Sequence, residues 1–182
     1  MLVKTFENAE AEQRLDIYYD EIITIADELD CLEELTVFYK HPRCILGNEE
    51  IEPGNFDNEE ALITWLKEEH DAKTILPLYA YEHGMITVST GPFSCPWDSG
   101  QVGFVVSTKE DDEKSITSLV KTMDMILQNE VYYVTLSEVS RCDQGHTHAE
   151  YVDGVHGIFD GTVDYSECQK AATEFLGWKP LE

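Results

Sequence analysis

The sequence predicts an α+β fold in which two to four helices pack on a mainly antiparallel sheet. Three observations indicate this class. Several short segments alternate apolar and polar residues, two longer segments repeat apolar residues every three or four positions, and glycine-containing turns separate neighbouring strands. Hydrophobic residues make up 42% of the 182 residues, which is enough for a folded core.

A chain of this length is typical of one domain, and we predict a single domain over residues 1–182. Charge and pattern suggest three parts inside it. These are an N-terminal subregion over 1–71, a core over 72–140 and a C-terminal hairpin with a helix over 141–182.

The first strand is predicted over 14–20, where apolar and polar residues alternate. A helix is the alternative there, because apolar residues between 15 and 26 also recur at helical spacing. A second strand is predicted over 34–39. Asp57, with Glu60 three residues later, predicts the start of a helix whose apolar face holds Leu62, Trp65 and Leu66.

The middle of the chain contains three predicted strands, over 75–81, 85–90 and 101–108. The first two are joined by Glu82-His83-Gly84, which is suited to a tight turn.

A second helix is predicted over 116–127 from its apolar stripe, with Asp111 or Asp112 as the cap. A further strand is predicted over 131–139. Asp153-Gly154 and Asp160-Gly161 are typical of hairpin turns, because Asp-Gly accepts a positive φ at little cost.

The last predicted element is a helix capped by Asp164 and ended by Gly177. Its predicted buried stripe contains Cys168, Ala171, Ala172 and Phe175.

The net charge excludes several classes of function. The chain has 37 acidic and 12 basic residues, a formal net charge of −25. Such a surface repels nucleic acid and anionic membranes, and it attracts proteins that bind polyanions. No phosphate-binding glycine loop, dinucleotide fingerprint or calcium loop is present. Five scattered cysteines without a Cys-x-x-Cys pair suggest reduced, mostly buried thiols in a cytoplasm.

The acidity is concentrated in two segments. Residues 7–34 contain eleven acidic residues and one basic residue, and residues 49–71 contain nine and one. One interpretation is mimicry of a nucleic acid, and the alternative is solubility alone. The residues predicted to contact a basic partner are Asp16, Asp20, Glu21, Asp27, Glu28, Glu49, Glu50, Glu52, Glu59 and Glu60.

A metal-dependent enzyme is the alternative hypothesis. On a strand over 146–150, His146, His148 and Glu150 would share one face, and two histidines with a carboxylate can bind a divalent metal. The competing interpretation is a polar strand edge exposed to solvent.

The loop over 91–100 also contains groups capable of chemistry. Cys95 with His83 would be a nucleophile and a base if they met in space. The competing interpretation is a rigid structural loop. Pro92 and Pro96 would fix its path, Phe93 and Trp97 would pack it down, and Ser94 or Asp98 would cap its backbone.

Three segments, over 76–84, 86–90 and 92–103, carry a resemblance to a known family. The most specific part reads Pro-Phe-Ser-Cys-Pro-Trp-Asp-Ser-Gly-Gln-Val-Gly, and residues 41–49 add a weaker match. The chain resembles small proteins encoded by bacteriophages and mobile elements. The resemblance implies a bacterial cytoplasm as the setting, but it implies no reaction.

Together these observations predict a non-enzymatic protein without a cofactor. We expect it to bind and inhibit a nucleic-acid-binding host defence protein, such as a restriction or CRISPR-type effector, by nucleic-acid mimicry. An accessory phage protein without an inhibitory role is the remaining alternative, and a homodimer stays open.

Overall fold

A computed structural model describes residues 1–181. Its α+β fold contains two mostly antiparallel sheets and four α-helices in that range. The predicted fold class is therefore confirmed, with two sheets in place of one. The strands are β1 (Leu2–Asn8), β2 (Gln13–Tyr19), β3 (Leu35–Tyr39), β4 (Glu49–Glu50), β5 (Thr74–His83), β6 (Met85–Ser89), β7 (Ser99–Ser107), β8 (Val131–Arg141) and β9 (Thr147–Phe159).

The helices are α1 (Ile25–Asp30), α2 (Glu59–Glu69), α3 (Glu113–Leu127) and α4 (Ser166–Ala171). A 3₁₀ turn covers Pro53–Asn55, and a π-helical turn, Ala172–Leu176, continues α4. No helix in residues 1–181 is long and apolar enough to span a membrane.

The backbone contacts divide the chain into two compact units. Unit 1 contains Met1–Ile23 and Asn129–Glu182, and unit 2 contains Thr24–Gln128. The prediction of a single domain stays a prediction beside this division.

Unit 1 is built on a four-stranded antiparallel sheet in the order β1-β2-β8-β9. Strand β2 places Leu15 and Ile17 on one face, where they pack with Val134 and Leu136 of β8. Cys168 of α4 belongs to the same buried cluster. The prediction of a strand over 14–20 is confirmed, and the helical alternative for this segment is wrong.

Unit 2 is built on a five-stranded sheet in the order β4-β3-β7-β5-β6. Only the β3–β4 pair is parallel. One face carries a core to which α1 and α3 contribute, with Leu29 and Met123 buried among strand residues. The other face carries a core around Leu66 of α2, which packs with Phe38 and Phe104.

Most predicted elements of unit 2 are confirmed with shifts of a few residues at their ends. The turn between β5 and β6 contains Gly84 at φ 84°, and α3 follows the predicted stripe. The cap of α2 is Asn58, whose side chain accepts a hydrogen bond from the amide of Ala61, so the prediction of Asp57 is wrong. Asp112 precedes α3 as predicted, but its carboxylate accepts a hydrogen bond from the Ser107 hydroxyl instead of capping the helix.

The C-terminal third of the chain contains the main errors in secondary structure. Asp153-Gly154 is not a turn, because β9 runs through it to Phe159. Gly154 instead lets the ring of Tyr133 approach, since an added Cβ would lie 2.5 Å from the Tyr133 hydroxyl oxygen. Asp160-Gly161 follows β9 and leads toward α4, so it does not join two strands.

The final helix begins one residue later than predicted, at Ser166. Tyr165 occupies its N-cap position at φ 56°, so the prediction of Asp164 as the cap is wrong. The helical segment ends at Gly177 in the left-handed conformation, as predicted. Phe175 is 72% exposed and does not belong to the buried stripe.

All five cysteines are free thiols, but only Cys168 is buried. Burial raises the pKa of the Cys168 thiol far above its usual range. This thiol is therefore held in its neutral, unreactive form. The expectation that most of the thiols would be buried is wrong.

Candidate functional site

Six carboxylates lie together in the sequence around the edge strand of unit 2. Strand β4 forms one end of the five-stranded sheet, and the segment after it leads into the first turn of α2. All six side chains are exposed, and none forms an ion pair with a residue of the described chain. We call this set the acidic edge, and it contains Glu49, Glu50, Glu52, Asp57, Glu59 and Glu60.

An apolar groove adjoins the acidic edge. It has a volume of about 410 Å³, and its apolar lining comes from the acidic segment, from α2 and from β7. Glu59 and Lys40 supply the charged groups of its lining. The groove can accept an apolar side chain, while the carboxylates around it favour a cationic neighbour. Its apolar residues are Ile51, Phe56, Leu62, Val102 and Phe104.

Of the next three predicted contact residues, two are exposed and have local partners, and the third is half-buried. Glu21 is exposed and lies 3.8 Å from the N-terminal ammonium group. Asp27 accepts hydrogen bonds from the backbone amide and hydroxyl of Thr24, which completes the capping box of α1. Glu28 is half-buried on the same helix.

Asp16 is buried, which contradicts its prediction as a contact residue. Its carboxylate accepts a hydrogen bond from the Thr5 hydroxyl at 2.5 Å. It also forms an ion pair with Arg14, whose Nε lies 2.8 Å from Oδ2 of Asp16. These partners lie on β1 and β2, so the carboxylate links two strands of unit 1 and is not presented to a partner.

Asp20 is also buried and was also predicted as a contact residue. Its carboxylate accepts hydrogen bonds from the amides of Gly157 at 2.9 Å and Ile22 at 3.2 Å. Nδ1 of His156 lies 3.0 Å from the same group. Burial raises the pKa of Asp20, but the two amides and His156 outweigh burial and lower it. The ionised carboxylate therefore fastens β9 to the end of β2.

The structure does not assemble the predicted metal ligands. His146 precedes β9, while His148 and Glu150 are exposed on it, opposite Ser140 and Glu138 of β8. Among residues 1–181, no group of three His, Cys, Asp or Glu side chains is arranged to hold a metal ion. The geometry thus gives the metal-dependent alternative no support.

The loop with the specific motif crosses the end of β5. It connects β6 to β7, which both pair with β5, and the amide of Glu82 donates to the carbonyl of Asp98 at 2.8 Å. Phe93 packs on Tyr81 with ring centroids 5.6 Å apart, as predicted for a structural loop. Trp97 is 90% exposed, so the prediction that it packs the loop down is wrong.

Cys95 and His83 approach the same carboxylate. Sγ of Cys95 and Nδ1 of His83 each lie 3.8 Å from Oδ2 of Asp98. Within the described chain no hydrogen bond joins the Cys95 thiol to the His83 imidazole, so the arrangement does not support a Cys–His nucleophile–base pair.

The weaker motif segment meets the specific one at Glu82. His41 is buried, and its Nδ1 accepts the amide of Cys44 at 3.1 Å, so its Nε2–H donates to Glu82 at 2.7 Å. Burial, and next the charge of Arg43, lower the pKa of His41. Arg43 pairs with the other oxygen of Glu82. Sequence analysis missed this pairing, although the resemblance had marked both segments.

A pocket of about 370 Å³ lies beside this ion pair, and its lining includes Trp97 and Asp98. Glu82 and Arg43 lie on its wall, already paired with each other. We call it the Trp97 pocket.

No protein-family model, curated protein or solved structure matches the chain. The family resemblance therefore stays a prediction, and any function must be argued from the surfaces described above.

Proposed function

We propose that this chain is a binding protein whose acidic edge engages a basic surface of a nucleic-acid-binding protein. The observation that carries the proposal is the set of six exposed carboxylates without an ion pair in the described chain. A surface that normally receives phosphates presents lysine and arginine side chains, and it binds ordered carboxylates for the same electrostatic reason.

The groove beside the acidic edge supports a protein partner in particular. A purely electrostatic contact would need only the carboxylates, whereas the groove offers apolar surface from Ile51, Phe56 and Leu62. A matching partner segment carries one large apolar side chain with lysine or arginine residues around it. The apolar contact then gives affinity that salt does not remove, and the charges give orientation and a fast association rate.

The proposed partner is a host defence protein of the restriction or CRISPR type in a bacterial cytoplasm. This setting comes from the resemblance to phage and mobile-element proteins and from the need of such elements to block nucleases. By occupying the basic surface, the chain would exclude the nucleic acid and inhibit the partner without any catalytic step.

The decisive experiment is capture of partners from a bacterial lysate with the wild-type chain and a triple variant. Glu49→Lys, Glu50→Lys and Glu52→Lys together should weaken binding of the captured partner by about tenfold or more, since each lost contact contributes about 0.5 kcal/mol. Affinity should also fall steeply as salt is raised.

A matched control changes the net charge equally at exposed acids of unit 1. Glu7→Lys, Glu10→Lys and Glu174→Lys should leave affinity within about threefold, because a change of net charge without the loss of a direct contact acts only through the screened overall field. Equal losses in both triple variants, or affinity that does not change with salt, would refute the acidic edge as the binding surface.

A further inference from the structure

Trp97 is the most exposed large hydrophobic side chain described in unit 2. It is 90% exposed, more than any other aromatic residue among the exposed large hydrophobic side chains of residues 1–181. Exposure of an indole to water forgoes the stabilisation that burial would give. Tryptophan is one of the residues enriched among the hot spots of protein interfaces.

The loop restrains Trp97 on both sides. Phe93 anchors the earlier part of the loop on Tyr81, and the carbonyl of Asp98 is bonded to the amide of Glu82. The Ser99 hydroxyl donates to the carbonyl of Cys95, which joins the backbone on the two sides of Trp97. A ligand at Trp97 would therefore meet a loop whose backbone needs little further ordering.

The charge beside Trp97 is negative and only weakly paired. The side chain of Asp98 is 45% exposed, and the nearest basic group in the described chain is His83 at 3.8 Å. Glu82, by contrast, already has Arg43 and His41 as partners. Arg43 also lines the Trp97 pocket, but Glu82 offsets its charge. A cation entering the pocket would thus find one available carboxylate, that of Asp98, in the same lining as the indole.

We propose that Trp97 and Asp98 form a receptor for one arginine side chain of a basic protein partner. A planar guanidinium can stack on the indole and donate two hydrogen bonds to the carboxylate, which a lysine ammonium cannot do in the same way. The inference rests on the proposed function for the identity of the partner and adds a second, distinct contact to it. An anionic ligand would be repelled by Asp98, and the pocket offers an apolar ligand little beyond Ala80 and Val102.

The test uses nona-arginine and nona-lysine peptides with the full chain at fixed salt. Binding is followed by calorimetry and by the indole N–H resonance of Trp97, assigned by its loss in Trp97→Phe among the three tryptophans. We expect nona-arginine to shift this resonance to saturation and nona-lysine to shift it less.

Trp97→Leu and Asp98→Asn should each weaken nona-arginine binding by about threefold, which is the effect of losing one exposed cation–π or charge-assisted contact. Trp97→Phe should keep part of the affinity. The matched controls are Phe175→Leu and Asp143→Asn, which change an exposed aromatic residue and an exposed carboxylate of unit 1. They should leave binding unchanged.

Equal effects of Trp97→Leu and Phe175→Leu, or a Trp97 resonance that nona-arginine does not move, would overturn the receptor. Equal shifts with both peptides would assign the pocket to cations in general and also overturn the choice of arginine. The triple variant at Glu49, Glu50 and Glu52 separates the two proposals. If it alone weakens binding, the receptor is wrong while the acidic edge stands. If only the Trp97 and Asp98 variants weaken nona-arginine binding, the receptor stands and the acidic edge is wrong.

Discussion

Gly103 lies against the backbone of the neighbouring strand at the centre of the sheet in unit 2. A Cβ atom at this position would lie 1.9 Å from the carbonyl oxygen of Phe38 and 2.8 Å from the Cα of Tyr39. Both obstacles are backbone atoms of β3, which cannot move aside as a flexible side chain could. The glycine is thus required by the close approach of two strands.

Gly103→Ala should therefore lower the free energy of unfolding by about 2 kcal/mol or more, because the sheet must distort to admit the methyl group. Gly100→Ala is the control in the same strand, since a Cβ there meets nothing within 4 Å. Urea unfolding of the two variants gives the measurement. Similar midpoints for both would show that β3 and β7 separate more easily than the geometry implies.

Single residues were predicted unevenly from the sequence. The sequence motif includes Gly103, but the reason for the glycine depends on Phe38, a residue far away in the chain. The sequence predicts that Trp97 packs its loop down, whereas the structure exposes it. Its exposure depends on where the loop leaves the sheet, which no local pattern encodes.

The start of α4 shows how an element can be stabilised from outside its own sequence window. Asp160 is 1% exposed, and its carboxylate accepts hydrogen bonds from the amide of Thr162 at 2.9 Å and the amide of Cys168 at 3.0 Å. The N-cap residue itself, Tyr165, makes no capping hydrogen bond with its side chain. Asp160 therefore performs the function that the sequence pattern assigned to Asp164.

Asp160→Ala should destabilise the protein by about 2 kcal/mol at pH 7, because it leaves the buried amide of Cys168 and the partly buried amide of Thr162 without an acceptor. Asp164→Ala should change stability by less than about 0.5 kcal/mol, as expected for an exposed side chain without partners. Thermal unfolding of both variants shows which aspartate stabilises the start of α4. A larger loss of stability for Asp164→Ala than for Asp160→Ala would support Asp164 as the cap.

The same comparison has a defined pH dependence. Burial raises the pKa of Asp160, but the hydroxyl of Thr162 and the amides of Cys168 and Thr162 outweigh burial and lower it. The folded pKa thus lies below the unfolded value of about 3.9, so the carboxylate stabilises the fold above that pH. The stability gap between wild type and Asp160→Ala should shrink as the pH falls through the folded pKa.

Elements with an uninterrupted local pattern were predicted well, and those without one were missed. The stripes of α2 and α3 and the alternation of β2 each repeat within one element. Helix α1 has only six residues, which is too short for a repeating stripe. Strand β9 contains an Asp-Gly pair, whose sequence is typical of a turn, near a shift in its register with β8. In such segments the partner strand or the core decides the conformation, and propensity does not.

At the scale of the whole molecule, the net charge of −25 opposes folding by self-repulsion. Raising NaCl from about 0.02 M to about 0.2 M shortens the Debye length from roughly 20 Å to roughly 7 Å. The melting temperature should therefore rise by about 4 °C, equivalent to roughly 1–2 kcal/mol for a chain of this size.

Potassium chloride should give the same shift, because screening does not distinguish the two cations. At pH 4.3, near the isoelectric point, the shift should disappear, since the net charge is then close to zero. A melting temperature that does not depend on salt at pH 7 would mean that the carboxylates lie too far apart to repel one another appreciably.

The amino-acid sequence determined the α+β class, most of the helices and strands of the middle region, and the acidic segment at 49–71. Each of these depends on interactions between residues a few positions apart or on composition alone. Only the tertiary structure decided the pairing of β2 with β8, the burial of Asp16 and Asp20, and the ion pair of Arg43 with Glu82. They depend on contacts between distant parts of the chain, whose free energy no local pattern records.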